Sequence, residues 1–303
     1  MNTQAPSLMT SNHQISKIQI PQQHFGIIGP DERPVGVFLD MPENKYFQVK
    51  AFSYSYSKEF AKSPAHGQAY LQKEHRIDPD REFFKAVHYL TLEGNDSSHI
   101  SIVDGTWSAK IKADVIAPLK AQGKLVLKQD DYDTALKVSA SLKANQKVKA
   151  LIDCCMPEVS IFWTDHATGV YCKARLDMVG VYNGDMVLAD LKSFSDLHNE
   201  KLMTYQVLNQ SYQNQMAFYS MAINAIWQKF PKHLRWIFCE DKAPYANKVR
   251  TCPEQLLNEG WATMTKLLSS YKSCQEFDSW PGFEEEEKEL ELPRSNQPVE
   301  DFR

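Results

Sequence analysis

Residues 174–193, ARLDMVGVYNGDMVLADLKS, put two acids and two bases on what reads as a single β-hairpin. Asn183-Gly184 is the strongest short signal for a two-residue hairpin loop. It sets Tyr182 opposite Asp185 and, counting outward, Asp177 opposite Asp190 and Arg175 opposite Lys192. Side chains alternate along strands, so the four would share one face, with opposed Cβ atoms about 4.5–5.5 Å apart. Like charges facing each other oppose folding. A solvated face, on which diagonal Asp–Lys and Asp–Arg pairs cancel, is one resolution. The other is a cation. Met186 and Leu188 precede Asp190 on the same face, and a carboxylate pair at the edge of an apolar face needs a counter-charge. Hard oxygen ligands suit Mg²⁺, with Mn²⁺ able to substitute. Lys192 would then stand where an ammonium orients a water or stabilises charge on an attacked phosphate.

Asp-x-Lys alone is a weak signal, and the chain carries two decoys of the same form, Glu240-x-Lys242 and Glu286-x-Lys288. Asp190-x-Lys192 differs from them in the second acid that the turn brings opposite.

The elements that must hold this hairpin follow from the periodicity around it. Residues 1 to about 45 are polar, Pro-bearing and aperiodic, which predicts a loosely attached arm. Residues 52–71 read as a short helix stopped near Ser63-Pro64, since proline breaks a helix and biases the residue before it. Residues 78–94 predict a helix with Phe83, Val87 and Leu90 on one stripe, and 130–152 another, opening on acids that suit a helix N-terminus. The period then changes: 158–164, 169–181 and 185–194 are β-like and joined by turn residues. A long helix over about 197–229, a strand at 234–240, the segment NKVRTC and a helix near 253–272 complete the chain. Helices before and after a small, mostly antiparallel sheet predict an α/β sandwich in one domain, over 46–293, with a tail at 294–303.

Composition narrows the setting. Of 303 residues, 43% are hydrophobic and 24% charged, ordinary for a soluble globular protein. No run approaches the roughly 18–20 apolar residues of a membrane span, and MNTQAPSLMTSNHQ lacks a secretory pattern, so a cytoplasmic protein is expected. The six cysteines show neither paired zinc spacing nor the four-fold clustering of an iron–sulfur site, so reduced thiols are expected. A net charge of −4 is mildly against binding nucleic acid over the whole surface. A local basic groove stays open, because FEEEEKELEL alone holds six glutamates.

The order and spacing of several segments resemble the PD-(D/E)XK nuclease superfamily and, within it, the exonuclease VIII (RecE-type) nuclease domain. The likeness runs from about residue 50 to 293 through FSYSYSKEFAKSPAH, FFKAVHYLTLEG, TGVYCKARLDMVG, MVLADLKSFSD, QNQMAFYSMA and EDKAPYANKV. It implies a restriction-endonuclease-like core, a central mixed sheet flanked by helices, and a Mg²⁺-dependent exodeoxyribonuclease. Such an enzyme would act 5′-to-3′ on double-stranded DNA ends in phage or prophage recombination, as a homo-oligomer beside a single-strand annealing protein. In that likeness His88 joins Asp177 and Asp190 at the metal, Glu158 assists them, and Lys192 positions or activates the attacking water. Gln215 and Tyr219 match the family's Gln-x-x-x-Tyr helix. Ser53 and Ser55 match an entry motif near the DNA path; Lys173, Arg175, Ser193 and Lys242 become candidate DNA contacts. One departure is Phe84, four residues before the His, where the family usually has a small Gly. Two alternatives stay open: a single-strand or flap nuclease of the same superfamily, and a non-catalytic DNA-end-binding scaffold.

Overall fold

A computed structural model of the chain describes residues 27–28, 33–39, 41–72, 79–94, 97–283 and 287. The expected tail, 294–303, and the decoy Glu286-x-Lys288 lie outside these.

The centre is a seven-stranded mixed sheet, ordered β1 (Ile27–Ile28), β2 (Pro34–Phe38), β5 (Cys155–Thr164), β6 (Tyr171–Tyr182), β7 (Asp185–Ser193), β8 (His233–Cys239) and β9 (Asn247–Thr251). Neighbours run antiparallel except β7 and β8, which are parallel. A parallel pair needs a long crossover, and the chain supplies helices α7 (Glu200–Asn209) and α8 (Tyr212–Trp227). A separate two-stranded parallel sheet joins β3 (Ile100–Ile102) to β4 (Leu125–Leu127). One face of the main sheet packs on α2 (Tyr54–Phe60), α8 and α9 (Glu254–Phe277) through a core holding Phe52, Leu176, Leu188, Phe218 and Met264. The other face packs on α4 (Pro79–His88), α5 (Gln129–Ala144) and α6 (Gln146–Cys154) through Val87, Leu90, Val138, Met178 and Ile237. This is the α/β sandwich that the alternating periods predict.

Three departures have local causes. Residues 34–38, expected in the arm, pair as β2 with β5, and α1 (Glu43–Gln48) follows. Val37, opposite Ile161, is fully buried between the flanking strands. The predicted 130–152 helix is two helices parted at Asn145, whose side chain leaves the first and caps the second by accepting from Lys147 N at 3.0 Å. The predicted 197–229 helix breaks at Ser211, which adopts a left-handed φ of 57°. Tyr54 holds the break by donating its hydroxyl to Gln210 O at 2.6 Å.

The strand pairs also show why β6 needs a glycine. A Cβ on Gly180 would lie 2.1 Å from Cys154 O and 2.7 Å from Cys155 Cα. Both obstacles are backbone, so neither can rotate away. Gly180→Ala is expected to cost about 3 kcal/mol or more, read as a lowered denaturation midpoint in urea; an unchanged midpoint would mean that α6 and β6 are not in this contact.

Candidate metal centre

The hairpin forms with the expected register, Tyr182 opposite Asp185 through Met178 opposite Ala189. Asn183 and Gly184 take φ values of 51° and 87°, as a type I′ loop requires. The ladder then stops one step short of Asp177 and Asp190.

The reason lies in the next strand pair. β5 and β6 keep one register on both sides of a gap, with Pro157 opposite Met178 and Val159 opposite Leu176. Glu158 and Asp177, which face each other across that gap, are unpaired, and Glu158 sits at a left-handed φ of 51°. Alternation slips there on both strands: Met156 and Val159 enter the same core, as do Leu176 and Val179. A one-residue slip turns side chains to the opposite face. Here the slip is local and releases two carboxylates towards helix α4. Left-handed backbone at a non-glycine residue persists only where surrounding structure enforces it, and such residues cluster at functional sites.

His88, the last residue of α4, meets them. Its Nδ1 lies 3.5 Å from Asp177 Oδ2 and 3.8 Å from Glu158 Oε1, and the three ligand atoms fall within 4.8 Å of one another. The other ring nitrogen, Nε2, lies 3.2 Å from Leu191 O, and the Leu191 N–H donates to Asp177 Oδ2 at 2.9 Å. With Nε2 donating to that carbonyl, Nδ1 is the nitrogen that faces two carboxylates, and it offers a ligand lone pair once its own proton is lost. This fits a metal-ligating histidine, whose second nitrogen typically donates to a backbone carbonyl or carboxylate. The α-helical ladder gives way to a π turn at Tyr89–Glu93, immediately after His88; such turns recur at functional sites. Phe84 fits because its ring meets the imidazole edge-on, with centroids 5.0 Å apart.

Asp190 stands outside that group of three, but its charge acts on both His88 and Asp177. Asp190 is 1% exposed, and Lys192 Nζ lies 2.5 Å from its Oδ2. Neither oxygen accepts a well-directed hydrogen bond, so lone pairs remain for a cation. The donor set of one imidazole nitrogen and several carboxylate oxygens matches a hard divalent ion such as Mg²⁺ or Mn²⁺. Lys192 also lies 4.7 Å over the Tyr212 ring. Burial lowers its pKa, but Asp190 and Asp177 outweigh that and raise it, so the ammonium persists.

The expected face of four charges is corrected. Arg175 leaves Lys192 and binds Glu158 Oε2 at 2.6 Å, Met41 O at 2.8 Å and Ser160 Oγ at 3.3 Å. It holds a carboxylate in place and is not presented as a free phosphate contact. Lys173 is corrected likewise. It is 6% exposed and donates to Tyr46 O at 2.9 Å and Val49 O at 2.7 Å, satisfying carbonyls at the end of α1 that a helix leaves unpaired. Burial lowers its pKa to about 8.

Gln215 and Tyr219 share one buried face of α8, the amide donating to the phenol oxygen at 3.0 Å. Burial, then the Asp190 carboxylate, push the Tyr219 hydroxyl well above its ordinary pKa. Ser53 caps α2, accepting from Tyr56 N at 3.3 Å, and Ser55 is exposed on that helix. Ser193 is exposed, with its carbonyl taken by Gln206 Nε2 at 3.0 Å. In the decoy, Glu240 accepts from Leu197 N at 2.6 Å and Lys242 is exposed, and Glu240 does not join the His88–Glu158–Asp177 group. The sequence reading missed the Leu191 carbonyl, since any residue has one, and the left-handed Glu158, for which no residue type signals.

Charge crowding gives the site a pH signature. Burial, then Asp190, raise Asp177 to about 7. Burial alone would lower His88, but Asp177 and Glu158 outweigh it and carry it to about 9. The raised histidine contributes stability that is complete below its ordinary pKa of 6.5 and lost as pH rises through about 9. The raised aspartate adds a penalty that appears as pH climbs from its ordinary 3.8 through about 7. Both make the metal-free protein less stable towards alkaline pH. A divalent ion needs these protons gone, so its stabilisation should grow over the same window. Thermal melts from pH 6 to 9 in EDTA and in millimolar Mg²⁺ should therefore diverge; a metal-free melting temperature that rises with pH would contradict the assignment.

Comparison with known proteins fits this geometry. Residues 53–289 match the model of a family described as a PDDEXK-like domain of unknown function (DUF3799). No curated protein matches. Among solved structures, a provisionally named exonuclease from Eubacterium rectale aligns at 13% identity with a TM-score of 0.52, covering 85% of this chain and 97% of its own, a likeness of fold. A second structure, SSO0001, reaches a TM-score of 0.26 at 12% identity over 62% of this chain and 85% of its own, and carries no argument.

Proposed function

The chain belongs to the family of PDDEXK-like domains, and on that premise we propose that it is a metal-dependent deoxyribonuclease, a phosphodiester hydrolase. The carrying observation is the convergence of His88, Glu158 and Asp177 from one helix and two adjacent strands, with the buried Asp190–Lys192 pair on the next strand of the sheet. Carboxylates crowded beside a histidine cost folding energy that a bound cation would offset. A divalent ion held by His88, Asp177, Asp190 and Glu158 would polarise the phosphate and acidify a water.

The protein's own groups divide the remaining work. Lys192, kept protonated by Asp190, supplies a fixed positive charge to the phosphate or the incoming water. Arg175 fixes Glu158, and the Leu191 carbonyl fixes the His88 ring. Gln215 and Tyr219 support the buried wall next to Asp190. The new P–O bond forms to the water oxygen as the bond to the leaving sugar oxygen breaks.

The finer reading is a RecE-type, 5′-to-3′ exonuclease of duplex ends that leaves 3′ single-stranded tails for recombination. The sequence resemblance supports it; the provisional name of the structural relative, an exonuclease, bears only on exonucleolytic action and not on polarity or strandedness. A single-strand annealing protein and a homo-oligomeric state belong to this proposal. No helix among the described residues is long and apolar enough to cross a membrane. End-labelled duplex and single-stranded DNA, digested in Mg²⁺ and in EDTA, test the reading. The 5′ label should leave the duplex as small products in Mg²⁺ alone. Release from the 3′ end or a preference for single strands would replace the finer reading; DNA binding without any cleavage would end the hydrolase assignment.

A further inference from the structure

Beside the acidic centre lies a second lysine without an acidic partner. Lys58 projects from the exposed side of α2, three residues after exposed Ser55 and therefore on the same face. Its Nζ donates to Gln210 Oε1 at 3.3 Å and lies 5.9 Å from the centre of the Tyr54 ring. Both neighbours are neutral. The adjacent acid, Glu59, is engaged by Lys62 at 2.7 Å. Asp190 is engaged by Lys192 at 2.5 Å. Burial, then repulsion from Lys192, lower the Lys58 pKa, and the attraction of Glu59 opposes them only in part. Tyr54 fixes the arrangement: its hydroxyl is tied to Gln210 O and Ser211 O at the α7–α8 break, and Tyr212, next in the chain, carries Lys192 over its ring.

Lys192 already has Asp190 as its anion, whereas Lys58, set on Gln210 and Tyr54 beside the residue that carries Lys192, has no ion-pair partner among the described residues and can take a further anion. We propose that Lys58 is a substrate-positioning residue that holds a backbone phosphate next to the scissile one, on the side away from the carboxylates. This rests on the nuclease reading for the identity of the anion. Lys192 lies over Tyr212 and Lys58 on Gln210, two residues earlier, so a strand whose scissile phosphate met Lys192 would bring a neighbouring phosphate to Lys58, which would set register and take no part in bond breaking. Such a contact is sequence-independent.

The test separates this from the hydrolase assignment by reading DNA affinity in EDTA, where no cleavage is needed. Fluorescence anisotropy of a labelled duplex would be followed from 50 to 200 mM salt for wild type, Lys58→Ala, Lys58→Arg and the paired surface control Lys62→Ala. Lys58→Ala should weaken binding about ten-fold and reduce the slope of log K against log salt by about 0.9, one phosphate contact. Lys58→Arg should restore both, and Lys62→Ala should change neither. If Mg²⁺ supports cleavage, KM should rise for Lys58→Ala while kcat stays within two-fold. A wild type that binds but does not cut would sink the hydrolase reading and leave this contact standing. An unchanged slope in Lys58→Ala, an equal change in Lys62→Ala, or a wild type that binds no DNA would overturn it.

Discussion

Lys192→Ala should lower kcat on duplex DNA by about 10²–10³-fold, the usual loss when a preorganised group that stabilises transition-state charge is removed. DNA affinity should fall far less, because His88, Glu158, Asp177 and Asp190 all remain. The structure adds a cost to folding. Asp190 is 1% exposed and Lys192 is its ion-pair partner; removing one member of a buried pair costs about 3–5 kcal/mol if the other stays charged. The variant should thus melt lower than wild type in EDTA and recover much of the difference in Mg²⁺. Lys192→Met, which keeps packing over Tyr212, should lose activity equally with a smaller folding defect. Lys242→Ala, the exposed decoy, should stay within about two-fold in single-turnover rates on end-labelled DNA. Equal loss from Lys192→Ala and Lys242→Ala would mean that the wrong Asp/Glu-x-Lys has been placed at the centre.

Asp177→Asn should separate stability from function most sharply. At pH 8 the wild-type carboxylate is ionised against Asp190 and Glu158 in a buried setting, which is why its pKa is raised to about 7. Each unit of such a shift is worth about 1.4 kcal/mol against the charged native form. Part is returned by the attraction of His88, which the variant also loses. The asparagine keeps a carbonyl oxygen for the Leu191 N–H and loses the charge. In EDTA at pH 8 its melting temperature should be higher than wild type, by about 2–4 °C for each kcal/mol relieved. Wild type should gain stability on adding Mn²⁺ or Mg²⁺, through binding to the native state; the variant should gain little and cut nothing. A less stable metal-free variant with an intact metal response would make Asp177 a structural salt-bridge residue.

The hairpin shows how far sequence alone reaches. Asn183-Gly184 defined the loop and the register, because a two-residue loop with positive φ leaves little choice of pairing. Gln215 and Tyr219 were legible as neighbours, four apart on one helix. Strict alternation then misled: carried through Asp177, it placed Arg175 beside Lys192, whereas the paired slip at Glu158 and Asp177 sends Arg175 to Glu158. No residue pattern announces that slip; it follows from the strands having to aim both carboxylates at α4. Lys173 shows the same limit. A lysine alternating with Arg175 along a strand reads as surface, and only the nearness of α1, with carbonyls to satisfy, turns it inward. The break at Ser211 hid inside a continuous helical pattern because Tyr54, 157 residues away, supplies the hydrogen bonds that hold it.

The central claim is that one divalent cation sits among His88, Glu158, Asp177 and Asp190. Calorimetric titration of Mn²⁺ into wild type, Asp177→Asn, His88→Ala and Lys242→Ala at pH 8 tests it most directly. Saturable binding with proton release should appear in wild type and Lys242→Ala, be lost in Asp177→Asn, and weaken markedly in His88→Ala. Undiminished Mn²⁺ binding in Asp177→Asn and His88→Ala would contradict the account and place the metal elsewhere in the chain.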